Sequence, residues 1–281
     1  MAAFREIVWR FYEEHGRSLP WRETRDPYRV LVSEFMLQQT QVSRVLLKYA
    51  AFVERFPDLV SLAAAPLDQV LAVWSGLGYN RRALWLKRIA DTAVREEEGR
   101  LPRTLAGLRG LPGVGPATAA AVAAFAYDEG HPFVETNIRT VIAHHFPIAA
   151  GGDDAMLQEK NILALVEATL DRDDPRNWYY ALMDYGSALK GQGIGGGHRS
   201  PGRREAYAGS RRALRSAVLR VLLETSGKTR AEVAASLGAT ARSAGQSPAN
   251  GDDPRLDGVL AALVAEGFLA LEGGRYRVGS G

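Results

Sequence analysis

Residues 108–127 read LRGLPGVGPATAAAVAAFAY, and no other stretch of the chain limits the fold as tightly. A helix ends, Leu-Pro-Gly-Val-Gly makes a tight hairpin, and a second helix of small residues begins at once. Gly113 and Gly115 open backbone conformations closed to other residues and let a partner come close to the main chain. The N–H groups at the start of the second helix have no partner within it, so they form a place for a phosphate. The plainer alternative is a helix–helix turn with no ligand.

The surroundings are helical too. Val30, Leu31, Phe35, Val42, Val45 and Leu46 mark one apolar face, and Leu62, Val70, Leu71, Trp74, Leu84, Leu86 and Ile89 continue the pattern. Short Pro/Gly breaks such as RFPDL, SGLGYN and DEGHPF punctuate it, and alternating strand-like runs are hard to find before residue 190. The first part is therefore all-α. From 190 to 212 the chain turns glycine- and arginine-rich without apolar period, which reads as a flexible basic connector. Beyond it come two helical stretches, a polar loop, a third helix and FLALEGGRYRV, two short runs around Gly-Gly that signal a hairpin. Three helices and a hairpin is the order of a winged helix-turn-helix module, a unit that serves either DNA or protein contact.

Composition narrows the function. The 281 residues suffice for one large or two modest domains, and 46% hydrophobic with 24% charged residues is the balance of a globular chain. Lys plus Arg number 35 against 32 for Asp plus Glu, a surplus that permits a nucleic-acid partner without demonstrating one. The chain contains no cysteine, which removes disulfides, zinc–thiolate sites, cysteine-held iron–sulfur clusters and a thiol nucleophile together. The N-terminus carries charges throughout and has no apolar segment of the signal-peptide kind, and no run is long enough to cross a bilayer. A cytoplasmic protein, nucleoid-associated if bacterial, is the expectation.

Three further stretches carry candidate chemistry. In SEFMLQQTQVSRV, Glu34, Gln38 and Gln41 fall at helical spacing on an otherwise apolar segment. Polar groups there need partners, which a structural network or the edges of an extruded base would supply. In WSGLGYNRRALWL, a glycine-flanked loop presents Tyr79 and Asn80 with Arg81 and Arg82 behind, an arrangement suited to stacking on nucleic acid. In FVETNIRTV, Glu135 stands at a helix start, where an acid is favoured for purely structural reasons as well.

These motifs occur in the order and spacing of the helix-hairpin-helix DNA glycosylase superfamily, over roughly residues 18–190. The chain most resembles its MutY-type adenine glycosylases, whose most distinctive signature is the run SE-x-MLQQTQV. The resemblance implies an all-α, two-lobed fold over 1–189, which the residue pattern follows with a linker over 190–209 and a winged-helix-like module over 210–281. It implies that Glu34 protonates a flipped base, that Glu135 stabilises the sugar cation left behind, and that Asn137 holds water, sugar or Glu135 in place. It implies double-stranded DNA as partner, contacted by Gln38, Gln39, Thr40, Tyr79, Asn80, Arg81, Gly113, Gly115, Ala117 and Thr118. A monomer is expected, with a protein partner for the C-terminal module as one of its two readings.

Four departures from the family bear on substrate. The second carboxylate is nearly always aspartate in the family and here is Glu135. Ala117 stands where strand-cutting relatives place a lysine and thymine- or adenine-removing relatives a tyrosine or serine, so a lysine-based lyase is not expected. The four-cysteine iron–sulfur loop after ALMDYGSALK is missing, and no cofactor or metal is expected; Arg199, Arg203 and Arg204 of the basic connector are expected to take over part of the DNA contact. The C-terminal segment does not look like the family's Nudix-like domain. Adenine in a mismatch is the leading substrate, followed by a deaminated purine, a mismatched uracil or thymine, or a bulky modified base. A DNA-binding protein with altered catalysis is the competing class.

Overall fold

The computed structural model describes residues 1–146, 155–194, 210–243 and 253–279. Among the described residues eleven α-helices precede the connector: α1 (Ala2–His15), α2 (Pro27–Leu37), α3 (Val42–Arg55), α4 (Leu59–Ala64), α5 (Leu67–Trp74), α6 (Arg81–Glu96), α7 (Leu105–Gly110), α8 (Pro116–Tyr127), α9 (Thr136–His145), α10 (Ala155–Thr169) and α11 (Pro175–Gly191). Then come α12 (Arg211–Glu224), β1 (Lys228–Thr229), α13 (Arg230–Ser243), α14 (Arg255–Ala265), β2 (Leu269–Glu272) and β3 (Arg275–Val278). The described residues fall into two compact units, one drawn from Met1–Tyr49 and Arg95–Ser200, the other from Ala50–Val94 and Pro201–Gly281.

In the first unit, caps fix where the helices begin. Asp26 precedes Pro27 and accepts hydrogen bonds from the N–H groups of Tyr28 (2.8 Å) and Arg29 (3.2 Å), satisfying donors that the first turn leaves unpaired. Asp174 does the same for α11, accepting from Asn177 N. Helix α2 is almost wholly buried and packs against α8, whose residues Ala119 through Ala126 are all buried. Small side chains on α8 allow that close approach. Helix α1 closes onto the far end of the unit: Arg5 donates to the carbonyls of Thr169 and Leu170, and the Trp9 indole to Asp171. Phe125 and Tyr180 stack at 4.4 Å between ring centres, and Phe133 lies 4.2 Å from Tyr179, giving an aromatic base to the region between α8, α9 and α11.

The second unit joins the α4–α6 helices to the C-terminal module. Arg215 grips the Glu266 carboxylate with two bonds of 2.9 Å, Arg81 adds a third contact at 2.8 Å, and Arg88 donates to the Glu266 carbonyl. The module's sheet has the order β1-β3-β2, all antiparallel, with Leu269 opposite Val278 and Glu272 opposite Arg275. Gly273 and Gly274 close the hairpin with φ of 55° and 74°, the paired left-handed geometry that a two-residue turn between twisted strands requires. The expected three helices and hairpin are thus present, with β1 as an added third strand.

Four expectations need correcting. Glu34, Gln38 and Gln41 do not form a helical stripe, because α2 stops at Leu37: Gln38 leaves the helical region and Gln39 turns left-handed at φ 54°. Of the two hairpin glycines only Gly113 is left-handed (φ 74°); Gly115 is the N-cap of α8 at φ −81° and has open space where a side chain would start. Leu46, assigned to the apolar face, is 39% exposed. The connector also begins later than expected, since Lys190 and Gly191 complete α11. Among the described residues no helix is long and apolar enough to cross a membrane.

Candidate active site

A cavity of about 370 Å³ opens in the first unit, within the range of small-molecule sites. Its wall is built from five stretches of the chain, 17–22, 34–42, 117–121, 133–137 and 180–183. Glu34 comes from α2, Gln38, Gln39 and Thr40 from the turn after it, Ala117 and Thr118 from the first turn of α8, and Glu135 and Asn137 from the start of α9. Phe133 and Tyr180 supply flat apolar surface. The hairpin therefore does two things: it turns the chain, and it delivers the start of α8 to the cavity.

Glu34 is half-buried on a helix whose other faces are packed, and no hydrogen bond from a described residue reaches its carboxyl. Burial pushes its pKa up to about 8; the charge of Glu135 acts in the same direction and Arg22 partly opposes them. At neutral pH it is mostly a protonated acid inside the cavity.

Glu135 has opposite surroundings. It is the N-cap of α9, and its Oε1 accepts from the N–H groups of Asn137 (2.8 Å) and Ile138 (3.0 Å) while Oε2 meets the Asn137 side-chain amide at 3.4 Å. Two backbone donors and the positive end of the helix stabilise negative charge there. With these two backbone bonds the side chain of glutamate, longer than that of aspartate, caps the helix. Asn137 is tied on its other side, where Lys190 Nζ donates to its Oδ1 at 2.8 Å.

Behind the cavity lies an ion cluster that motif reading did not single out. Asp184, 2% exposed, receives two bonds of 2.8 Å from the Arg22 guanidinium, plus the Arg17 N–H at 2.8 Å and its Nε at 2.7 Å. Burial pushes the Asp184 carboxyl up, but the hydrogen bonds and charges of the two arginines overcome this and hold it below the usual carboxylate range. Arg22 lies with its guanidinium carbon 4.3 Å from the centre of the Tyr180 ring. Arg17, Arg22 and Tyr180 all line the cavity, so the cluster fixes one wall in position.

The remaining sequence-derived residues take different places. Gln38 donates to Thr118 Oγ1 at 3.4 Å, joining the turn after α2 to the first turn of α8, and Gln39 beside it is exposed at the cavity wall with left-handed backbone. Tyr79, Asn80 and Arg81 do not line this cavity and belong to the second unit. There Tyr79 is 44% exposed with φ 50°, its ring flanked by Arg82 and Arg212 at 5.4 and 5.2 Å, and the Arg81 guanidinium pairs with Glu266. Gln39 and Tyr79 are non-glycine residues held left-handed at exposed loop tips, and strain of that kind concentrates at functional sites. Arg199, Arg203 and Arg204 lie outside the described residues.

The family's four-cysteine iron–sulfur loop cannot be built from this chain, which has no cysteine to ligate iron.

A half-buried acid and a capped carboxylate share one cavity that the hairpin helps to build, the arrangement expected of a helix-hairpin-helix base excision protein, and comparison with known proteins agrees. Residues 32–167 match the model of the HhH-GPD superfamily base excision DNA repair proteins. The chain is 36% identical over 237 residues to an adenine DNA glycosylase of Mycobacterium tuberculosis, covering 77% of this chain and 76% of that protein. It is 40% identical over 181 residues to the adenine DNA glycosylase of Mycolicibacterium smegmatis, covering 64% of this chain and 60% of the relative. Among solved structures, a thermostable thymine-DNA glycosylase superposes with a TM-score of 0.60 at 27% identity, over 66% of this chain and 85% of that one. The chain belongs to the HhH-GPD superfamily of base excision DNA repair proteins, in its MutY-like adenine DNA glycosylase branch.

Proposed function

We propose that this protein is a DNA N-glycosylase that draws a base out of duplex DNA and hydrolyses its bond to the sugar, with mispaired adenine as the leading substrate. The carrying observation is the pairing of environments on one cavity: Glu34 held as an acid and Glu135 held by N–H donors. A purine is a poor leaving group as an anion, so Glu34 passes its proton to a ring nitrogen of the flipped base. The C1′–N bond then breaks with its electron pair going to the base, and positive charge develops on the sugar. Glu135 stabilises that charge. Water adds to C1′, and the Glu34 carboxylate takes the released proton, restoring the acid.

The relatives named adenine DNA glycosylase support adenine as substrate. Ala117 offers no amine for attack on the sugar, which favours base removal without strand cutting. A panel of duplexes carrying adenine opposite guanine or 8-oxoguanine, deaminated purines, mismatched uracil or thymine, and bulky modified bases tests the reading. Wild type should leave an alkali-labile site at the mispaired adenine, and Glu34→Gln should leave none. Strand cuts without alkali would contradict the monofunctional reading. Binding without any alkali-labile site on the whole panel would favour a DNA-binding protein instead.

A further inference from the structure

Asn137 sits between a carboxylate and an ammonium. Its side-chain N–H faces Glu135 Oε2 at 3.4 Å, and its carbonyl oxygen accepts from Lys190 Nζ at 2.8 Å. An ammonium only donates, and a carboxylate only accepts. Turning the amide over would set its N–H₂ against the ammonium and its oxygen against the carboxylate, two repulsive contacts replacing two attractive ones. Lys190 therefore decides which way the amide points.

The backbone is built to bring these groups together. Helix α11 crosses the first turn of α9 at Gly186, where a Cβ would overlap the Asn137 carbonyl group. Lys190 lies four residues further along α11, on the same face, so the close crossing delivers its side chain to Asn137. Lys190 is half-buried and its pKa is lowered by that burial, while the nearby charge of Glu135 pulls it back up. On the Glu135 side, Oε1 already has two backbone donors, and Oε2 has the Asn137 amide. The orientation of that amide thus bears on the oxygen that is less firmly held.

We propose that Lys190 is a positioning residue of the excision reaction: it orients the Asn137 amide and, through it, the Glu135 carboxylate. The proposal rests on the glycosylase reading above. Lys190 does not itself line the cavity, so its effect has to pass through Asn137.

The test is a double-mutant cycle in single-turnover excision with Lys190→Met, Asn137→Ala and both together, run alongside duplex affinity and thermal midpoint. Lys190→Met should slow excision by about tenfold to a hundredfold, the scale of a slightly misplaced catalytic group, with affinity for the duplex unchanged. The double variant should be no slower than the slower single one, because both changes break the same connection. Losses that multiply in the double variant, a Lys190→Met rate equal to wild type, or a loss confined to affinity would each overturn the proposal. Should Lys190→Met fail to fold, Lys190→Gln, which keeps two of the four methylenes and a polar end, carries the same cycle without the charge. A wild type that excises nothing from the duplex panel sinks the glycosylase reading and this proposal with it; an active wild type indifferent to Lys190 sinks this proposal alone.

Discussion

Glu34 and Glu135 bring the same functional group to the same cavity from opposite surroundings. The Glu34 corner is walled by a packed helix and offers its carboxyl no hydrogen bond from a described residue, so the neutral form is favoured. At the Glu135 corner a helix terminus supplies two backbone donors, a side-chain amide and, one step behind, an ammonium. In the proposed excision, proton donation calls for the first environment and cation stabilisation for the second, a division set by what surrounds each group rather than by residue type.

The largest expected effect comes from removing the acid. Glu34→Gln should slow single-turnover excision by about a thousandfold or more, within the range general acids contribute, while duplex affinity stays close to wild type. An active Glu34→Gln would erase the contrast between the two corners. Glu135→Gln should cost about a hundredfold to a thousandfold, as for loss of one preorganised electrostatic contact. It should also change the pH dependence, because the negative charge of Glu135 helps hold Glu34 protonated. The alkaline limb of the rate profile should move to lower pH in that variant, and an unmoved limb would mean that the two carboxylates do not sense each other.

With Glu34 as the proposed acid, the protonated form is the active one, so excision should be flat below its pKa and fall roughly tenfold per pH unit beyond about 8. The smallest effect is on stability. Glu34 has a pKa in the folded protein above its unfolded value of about 4.3. Between those two values the native state keeps a proton that the unfolded chain has lost, so stability declines as pH rises through that window. Glu34→Gln removes the decline. Its thermal midpoint should exceed wild type by a few degrees at about pH 9 and by little at about pH 4, as calorimetry at the two values would show. A variant that is inactive and more stable would confirm that Glu34 is maintained against the interest of the fold.

Much of this site was legible because it lies in short local patterns. Glu34 stands inside an apolar helical run, Glu135 at a helix start, and the Leu-Pro-Gly-Val-Gly hairpin can hardly be read as anything but a turn. What stayed hidden depends on long-range contacts or on a break without punctuation. Nothing in LQQTQV resembles Pro or Gly, yet α2 ends there, and three of its polar residues reach the cavity from a turn. Arg17 and Arg22 meet Asp184 across more than 160 residues. Lys190 looked like the first residue of a glycine-rich connector, and only the crossing of α11 with α9 shows that it faces Asn137.

That crossing has a consequence for how variation in this protein would be read. Gly186 ionises nothing, donates no side-chain hydrogen bond and lines no part of the cavity. Alanine is the best helix former and glycine among the poorest, by about 1 kcal/mol, so helix propensity alone would favour a methyl group at this position. The space for that methyl is filled by the Asn137 carbonyl. In a map of tolerated substitutions Gly186 would stand out as sharply as Glu34, and a reader of that map would look in vain for its chemistry. Its contribution is a missing atom, which lets α11 lie close enough to α9 for a cation to reach the Asn137 amide.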